Sequence, residues 1–483
     1  MMTKDPPREV WEIIEADIAQ GESFSSGMRF LQRTAFGLLP SFLQRKIHPG
    51  LTKPQRIHPT SYLDGLRGVS SFIVFLGHYT EENLGWYTEP YGAYEDGAPS
   101  SPLQLPFVRV IYSARPMVHI FLIISGYVLS YKPIKQIHSQ QYAALANTLS
   151  SSVFRRALRL FIPSFVALFI MALALFSGLS TDRFAERQLH LTSQLQHVWE
   201  TCVRLAGASW AVNDLMYPHP LYNPALWTIP VEFGQSLILF VTLLGLSRCR
   251  SNVRLVLLAG IITFCFYSGQ LYTVEFLGGM LIAEITLLRD RSLSTPTSSP
   301  VLPSFDEKSQ STECGSTVRQ KVTQAFWLAN VLSGLFIASW TNDHIDAMWG
   351  LRFLDAHTPA PYEGQKVWFC FGAFQIVAAS TQLRCLQRIF TTQVAQYLGT
   401  ISYALYLMHN LCLTILEPIF NPIFSTVFSQ ATFWGRQLSW LAGIVIYVPI
   451  VICVADLFWR LVDTPTVRFA KWFESKCVVE KKL

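Results

Sequence analysis

The sequence predicts an all-α fold: a polytopic transmembrane bundle of about ten helices with both termini in the cytoplasm. Three observations lead there. Of the 483 residues, 51% are hydrophobic and only 14% charged, against about 25% charged in soluble domains. Mostly apolar stretches of roughly 17 to 25 residues, the length that crosses a bilayer, begin near Ser61, Ile111, Val153, Ala225, Val253, Leu271, Ala325, Lys366, Val394 and Gln437. The segments between them alternate in charge: those assigned to the cytoplasm, termini included, hold about 27 Lys and Arg and the opposite loops about six. Those opposite loops are acidic instead, with Glu81, Glu82, Glu89, Glu95 and Asp96 after the first span and Asp343, Asp346, Asp355 and Glu363 before the eighth.

Residues 1–60 form a cytoplasmic region that opens on an acidic stretch with no apolar core, so no cleaved leader is expected. Within it, Phe24 to Lys46 mixes basic residues with Phe and Leu and either lies along the membrane surface or forms a plain soluble helix. Residues 61–472 make the membrane domain. The spans near Val253 and Ala325 are short on strict hydropathy, residues 178–224 suit a small cap, and 473–483 form a cytoplasmic tail. The Ser/Thr/Pro-rich segment 289–324 has little to bury and reads as a disordered cytoplasmic loop. The nine cysteines are scattered, without a CxxC pair or zinc spacing, and read as packing residues. No metal site is expected. A net charge of +6 on this length gives no reason to expect nucleic acid.

Ionisable groups inside spanning helices cost several kcal/mol when unpaired and mark functional sites. The first span, "SYLDGLRGVSSFIVFLGHYT", carries Asp64, Arg67 and His78. Arg67 and His78 are about 17 Å apart along a helix and roughly 20° apart around it, so both can line one groove. Counting about 1.5 Å per residue from each helix start puts His78, His409, Glu232 and His119 near one level past the midplane, with Arg67 nearer the cytosol. His119 reads equally as a hydrogen-bonding contact between helices, and so does His409, which follows "SYALYLM" and precedes Asn410. Arg155, Arg156 and Arg159 in "FRRALRLFIP" are either a positive-inside anchor or a holder for a polyanionic ligand.

These segments together resemble the acyltransferase 3 family of integral-membrane acyltransferases. "YLDGLRGVSSFIVFLGH" resembles its first-helix signature, an Arg or Lys followed after ten residues by His. "FLIISGYVLS" resembles its second-helix segment, "FRRALRLFIP" its basic entry to the third, "PALWTIPVEF" its Trp-and-Glu motif, "LGTISYALYLMHN" its late Ser-Tyr-Leu-His helix and "VDTPTVRFAKW" its ending. The likeness runs in the family's order over roughly residues 60–472 and is nearest the fungal branch.

The resemblance implies transfer of an acyl group, commonly acetyl, from a coenzyme A thioester to a hydroxyl, with acyl-CoA as co-substrate and no permanently bound cofactor. Neutral imidazole suits removal of the hydroxyl proton near pH 7, and His78 is the expected base. Asp64 and Arg67 are then placed for the donor, with Arg155, Arg156 and Arg159 adding charge for the nucleotide. Glu232 would orient an imidazole or the acceptor. His409, with Ser402, Tyr403 and Tyr406, would supply a second wall, an oxyanion donor or packing, and His119, Tyr403 and Tyr406 are the expected substrate contacts. A fungal secondary-metabolite alcohol is the first choice of acceptor, a glycan or lipid the next. A proton-coupled secondary transporter is the alternative from another class. An endomembrane such as the endoplasmic reticulum is the expected location.

Overall fold

In the computed structural model the described residues are 36–478, apart from 38, 48–56, 93–99, 182, 211–219, 295–312, 342–343 and 363. Among them the chain is helical, without strands. In order the helices are α1 (Ser41–Ile47), α2 (Ser61–Asn83), α3 (Ala114–His138), α4 (Tyr142–Phe176), α5 (Leu191–Gly207), α6 (Thr228–Gly245), α7 (Ser251–Tyr267) and α8 (Leu271–Ser294). They continue as α9 (Glu313–Ala338), α10 (Trp349–Ala356), α11 (Lys366–Gln382), α12 (Arg384–Phe390), α13 (Gln393–Val427), α14 (Phe433–Phe458) and α15 (Thr464–Cys477).

Each of the ten apolar stretches is a helix, but among the described residues only seven helical runs are long and apolar enough to cross a membrane. The pair α11–α12, bent by 97°, makes an eighth if taken as one span. Of the others, α7 is short at 17 residues, and α2 has 23 residues but is too polar to count with the seven. Several helices outrun the bilayer. The 45-residue run Phe433–Cys477 is about 68 Å long at 1.5 Å per residue, and a hydrocarbon core is about 30 Å thick. Helix α4 begins well before its apolar part for the same reason: its backbone hydrogen bonds continue in water, where hydropathy gives no signal.

At the centre stands α13, largely buried, packed against α2 on one side and α14 on another. Its approach to α2 is set by glycine. A Cβ on Gly68 would lie 2.1 Å from the Gly399 nitrogen, and one on Gly399 2.4 Å from the Asp64 carbonyl oxygen. No side chain fits between these backbones, and small residues are what permit such contact between spanning helices. On the other flank α3 packs against α8 and α11, with α7 outside α8.

Three expectations outside the spans meet the structure differently. The stretch 24–35 lies outside the described residues, but the end of the expected surface segment, α1, docks on the bundle. Buried Asp456 accepts from the Ser41 backbone nitrogen at 3.1 Å, the Ser41 hydroxyl at 2.6 Å, the Tyr397 hydroxyl at 2.8 Å and Arg460 Nε at 2.7 Å. Arg460 also donates to the Gly37 and Leu39 carbonyls, and Phe42 meets the Tyr397 ring edge-on at 5.2 Å. The expected disordered loop 289–324 is helical at both ends, to Ser294 and from Glu313, while 295–312 lie outside the described residues. In the 178–224 segment, α5 buries Val198, Cys202 and Leu205, and Tyr222 is held by Gln194 and His197 at 2.7 Å each.

Candidate active site

The α2–α13 seam carries the first group of expected site residues. His78 and His409 stack with ring centroids 5.2 Å apart and planes 18° apart. His78 is half-buried and His409 fully buried. His409 Nδ1 lies 2.8 Å from the Tyr406 carbonyl oxygen and 3.3 Å from that of Leu405. A carbonyl oxygen only accepts, so Nδ1 carries the proton, and in the neutral ring Nε2 is left with its lone pair. Nε2 is buried and has no hydrogen-bond partner among the described residues.

The register of His409 is fixed by the chain entering α6. Asn410 donates to Asn223 Oδ1 at 2.8 Å, Asn223 donates to the Leu407 carbonyl at 3.0 Å, and the Tyr406 hydroxyl donates to the Ala225 carbonyl at 2.6 Å. Tyr406 also shares a hydrogen bond with Thr228 at 2.9 Å, and its ring lies 5.9 Å from His409. Tyr403, one turn earlier, donates to the Leu160 carbonyl at 2.6 Å and meets Ser164 at 3.2 Å. Both tyrosine hydroxyls are thus engaged with the scaffold.

Arg67 sits toward the other end of α2. Its Nε donates to Ser402 Oγ at 3.1 Å, its Nη2 to the Gly399 carbonyl at 3.3 Å, and Asp64 lies 3.6 Å from it. The Arg67 and Asp64 side chains are 41% and 51% exposed, so this end of the seam is open. Ser71, one turn on, donates to the Ser402 carbonyl at 2.8 Å and ties the helices between Arg67 and His78.

The other candidates are distributed differently from the expectation of four groups at one level. Glu232 pairs with Arg156, so it belongs with the arginines of α4. Arg155 is bound to Glu474 of α15 at 3.0 Å, and Phe154 stacks on Phe473 at 5.7 Å. Arg159 lies within electrostatic range of Arg67, Arg155, Arg156 and Asp463. The expected basic mouth is therefore a guanidinium-rich face with its own carboxylates: Asp64, Glu232, Glu474 and Asp463. His119 is paired with Glu275, both buried, against Phe369 at 5.8 Å.

Sequence reasoning missed Glu275, Glu284 and Arg254. Buried Arg254 and Glu284 form a two-bond pair, at 2.5 and 3.2 Å, with His138 on the same carboxylate at 2.9 Å. Two acids within the apolar run of α8 were the signal available.

Beyond His78, residues 85–92 and 100–112 fold over the end of the seam around Arg109. That buried guanidinium donates to the backbone carbonyls of Glu89 at 3.2 Å, Thr88 at 3.1 Å and Tyr87 at 3.4 Å. Burial pulls it below its ordinary pKa, against the opposing influence of Tyr112, Glu89 and Glu81. Ser101 and Gln104 cap the loop's short helix reciprocally, and the Tyr112 hydroxyl donates to the Leu103 carbonyl at 2.9 Å.

A multi-pass bundle with stacked imidazoles inside and guanidiniums toward one end defines an integral-membrane protein with a polar site on its central seam. The family described as an acyltransferase domain, of acyltransferase 3 type, matches residues 60–460, and the chain belongs to that family. It is 29% identical to the O-acetyltransferase PaAT-1 of Phomopsis amygdali over 466 residues, covering 90% of this chain and 87% of the relative. It is 27% identical to the acyltransferase clz18 of Cochliobolus lunatus over 401 residues, covering 74% and 83%. No solved structure matches. The protein is a membrane acyltransferase.

Proposed function

We propose that this acyltransferase moves an acetyl group from acetyl-CoA to a hydroxyl of a small molecule, a fungal secondary-metabolite alcohol, with His78 as general base. The observation that carries the reading is the His78–His409 stack, in which one ring is fixed and the other is reachable. His409 is locked by its Nδ1 proton and by Asn410. His78 is the more exposed ring and the one a substrate can meet.

The chemistry balances without a further reagent. The His78 lone pair takes the acceptor's proton as its oxygen attacks the thioester carbonyl. Collapse of the tetrahedral intermediate forms the ester and breaks the C–S bond, and the leaving thiolate takes the proton back, giving CoA. His409 holds the His78 ring by stacking and is a positioning residue. Arg67, open at the other end of the seam, suits phosphate or pantetheine oxygens, with Asp64 orienting it. Since each nearby guanidinium has a carboxylate, a phosphate would bind by displacing one of these partners, and the exposed Arg468, Lys471 and Lys476 of α15 add positive charge. Acetyl-CoA is cytosolic, which places this end and both termini on the cytoplasmic side, in an endomembrane such as the endoplasmic reticulum.

Two measurements test the reading. Membranes containing the protein release CoA from acetyl-CoA, and His78→Ala protein at equal expression loses this; undiminished release would sink the base assignment. Metabolites from cells with and without the gene differ by one acetyl unit on an alcohol.

A further inference from the structure

Helix α15 carries an aromatic face that the described residues leave largely uncovered. Helix α14 alone, with 26 residues, is about 39 Å long, more than the ~30 Å of a hydrocarbon core, so α15 lies beyond the bilayer and its outer side chains meet water. Phe154 of α4, Phe473, Phe469 and Trp472 stack in a row with successive ring centroids 5.7, 5.9 and 5.8 Å apart. Each is between 38% and 55% exposed. A continuous apolar patch of this kind in water marks an interaction site. Around it stand Arg468, Lys471 and Lys476, all exposed and without an ion pair among the described residues. The one acid of α15, Glu474, is turned onto Arg155 at 3.0 Å. The outer face is therefore aromatic and positive.

Residues 1–35 lie outside the described residues, and their sequence complements this face. Between Asp5 and Gln20 there are five carboxylates against one arginine. Val10, Trp11, Ile14 and Ile18 recur at spacings of three, four, seven and eight, the pattern of one apolar helix face. Glu15 and Asp17 fall at its two edges, and Asp5 followed by Pro6 is a helix-start signal. The tether also ends in the right place. Arg460 donates to the Gly37 and Leu39 carbonyls at 2.7 and 3.0 Å, and it is four residues, about 6 Å along a helix, before the start of α15. Residues 21–35 can extend to about 50 Å, more than twice the ~21 Å length of α15. An anionic membrane surface offers the same charge. However, α15 continues the α14 run, so its sides face across the bilayer surface and not down onto it, which favours a protein segment.

We infer that residues 5–20 of this chain dock as a helix on the aromatic face of α15, with their carboxylates on Arg468, Lys471 and Lys476. The docked segment neutralises three cations beside the guanidinium-rich mouth and so competes with the phosphates of the donor. The competition rests on the acyl-transfer reading; the docking does not.

The test uses the full chain in liposomes containing phosphatidylserine, as an equal mixture of unlabelled and ¹⁵N-labelled protein, with a benzophenone amino acid in place of Trp472. After irradiation and digestion, mass spectrometry identifies what is captured. The expected product is the peptide containing residues 5–20 from the same chain. The triple variant Arg468→Glu, Lys471→Glu, Lys476→Glu loses this product, and adding Glu12→Lys, Glu15→Lys and Asp17→Lys restores it. Capture of phospholipid, or links joining the two isotopes, would overturn the docking in favour of a lipid surface or a second copy. Without the photoprobe, Trp11→Glu with Ile14→Glu lowers the acetyl-CoA KM about two- to fivefold, the range of exposed ion pairs, with kcat unchanged. Capture with an unchanged KM upholds the docking and overturns the competition. Capture without any acetyl-CoA turnover upholds the docking and overturns the acyl-transfer reading. Turnover without capture of residues 5–20 overturns the docking and leaves that reading standing.

Discussion

The two flanks of the bundle handle buried ionisable groups in opposite ways. Around α8 they are closed against one another: His119 on Glu275, and Arg254 with His138 on Glu284. Along the α2–α13 seam they are left partly open: Arg67 is 41% exposed, and His409 Nε2 has no partner among the described residues. A charge at membrane depth is thus not in itself a sign of chemistry. What distinguishes the seam is polar capacity left over after the protein's own contacts are counted.

That contrast predicts different consequences for mutations on the two sides. The largest effect is expected from His78→Ala, which lowers acetyl transfer by about 10²- to 10⁴-fold with an unchanged yield of folded protein, measured as product per mole of monodisperse enzyme. On the closed flank, Glu284→Ala strands Arg254 and costs about 3–5 kcal/mol of stability. Thermal unfolding in detergent shows it as lost folded protein, while turnover per folded molecule stays normal; a selective loss of turnover would erase the distinction. Arg67→Ala comes next, raising the acetyl-CoA KM about tenfold or more through one lost charge-assisted contact, with little change at saturating donor. The smallest effect is expected from Ser41→Ala, which removes one hydroxyl from Asp456 and costs about 1 kcal/mol, visible as a small fall in melting temperature with activity retained.

The helix positions were legible in the sequence because apolar length is a local property. So was the shared groove of Arg67 and His78, because both lie on one helix whose period is known. Partners across helices were not. The depth estimate placed Glu232, His119, His78 and His409 at similar heights, but height says nothing of the direction in which a side chain points. Glu232 turned to Arg156 and His119 to Glu275. Glu275 and Glu284 are nine residues apart, hence about half a turn apart around α8, and they serve different neighbours. The buried Asp456 joins residues more than 400 apart in sequence, a contact that local periodicity cannot reveal.

The glycine contact between α2 and α13 also bears on how such an enzyme can diversify. Where Gly68 meets Gly399 backbone to backbone, neither position can accept even a methyl group without parting the helices that hold Arg67 and His78. Change that preserves Arg67 and His78 is therefore channelled away from this contact and into positions where a side chain can be exchanged while the helix pair keeps its spacing.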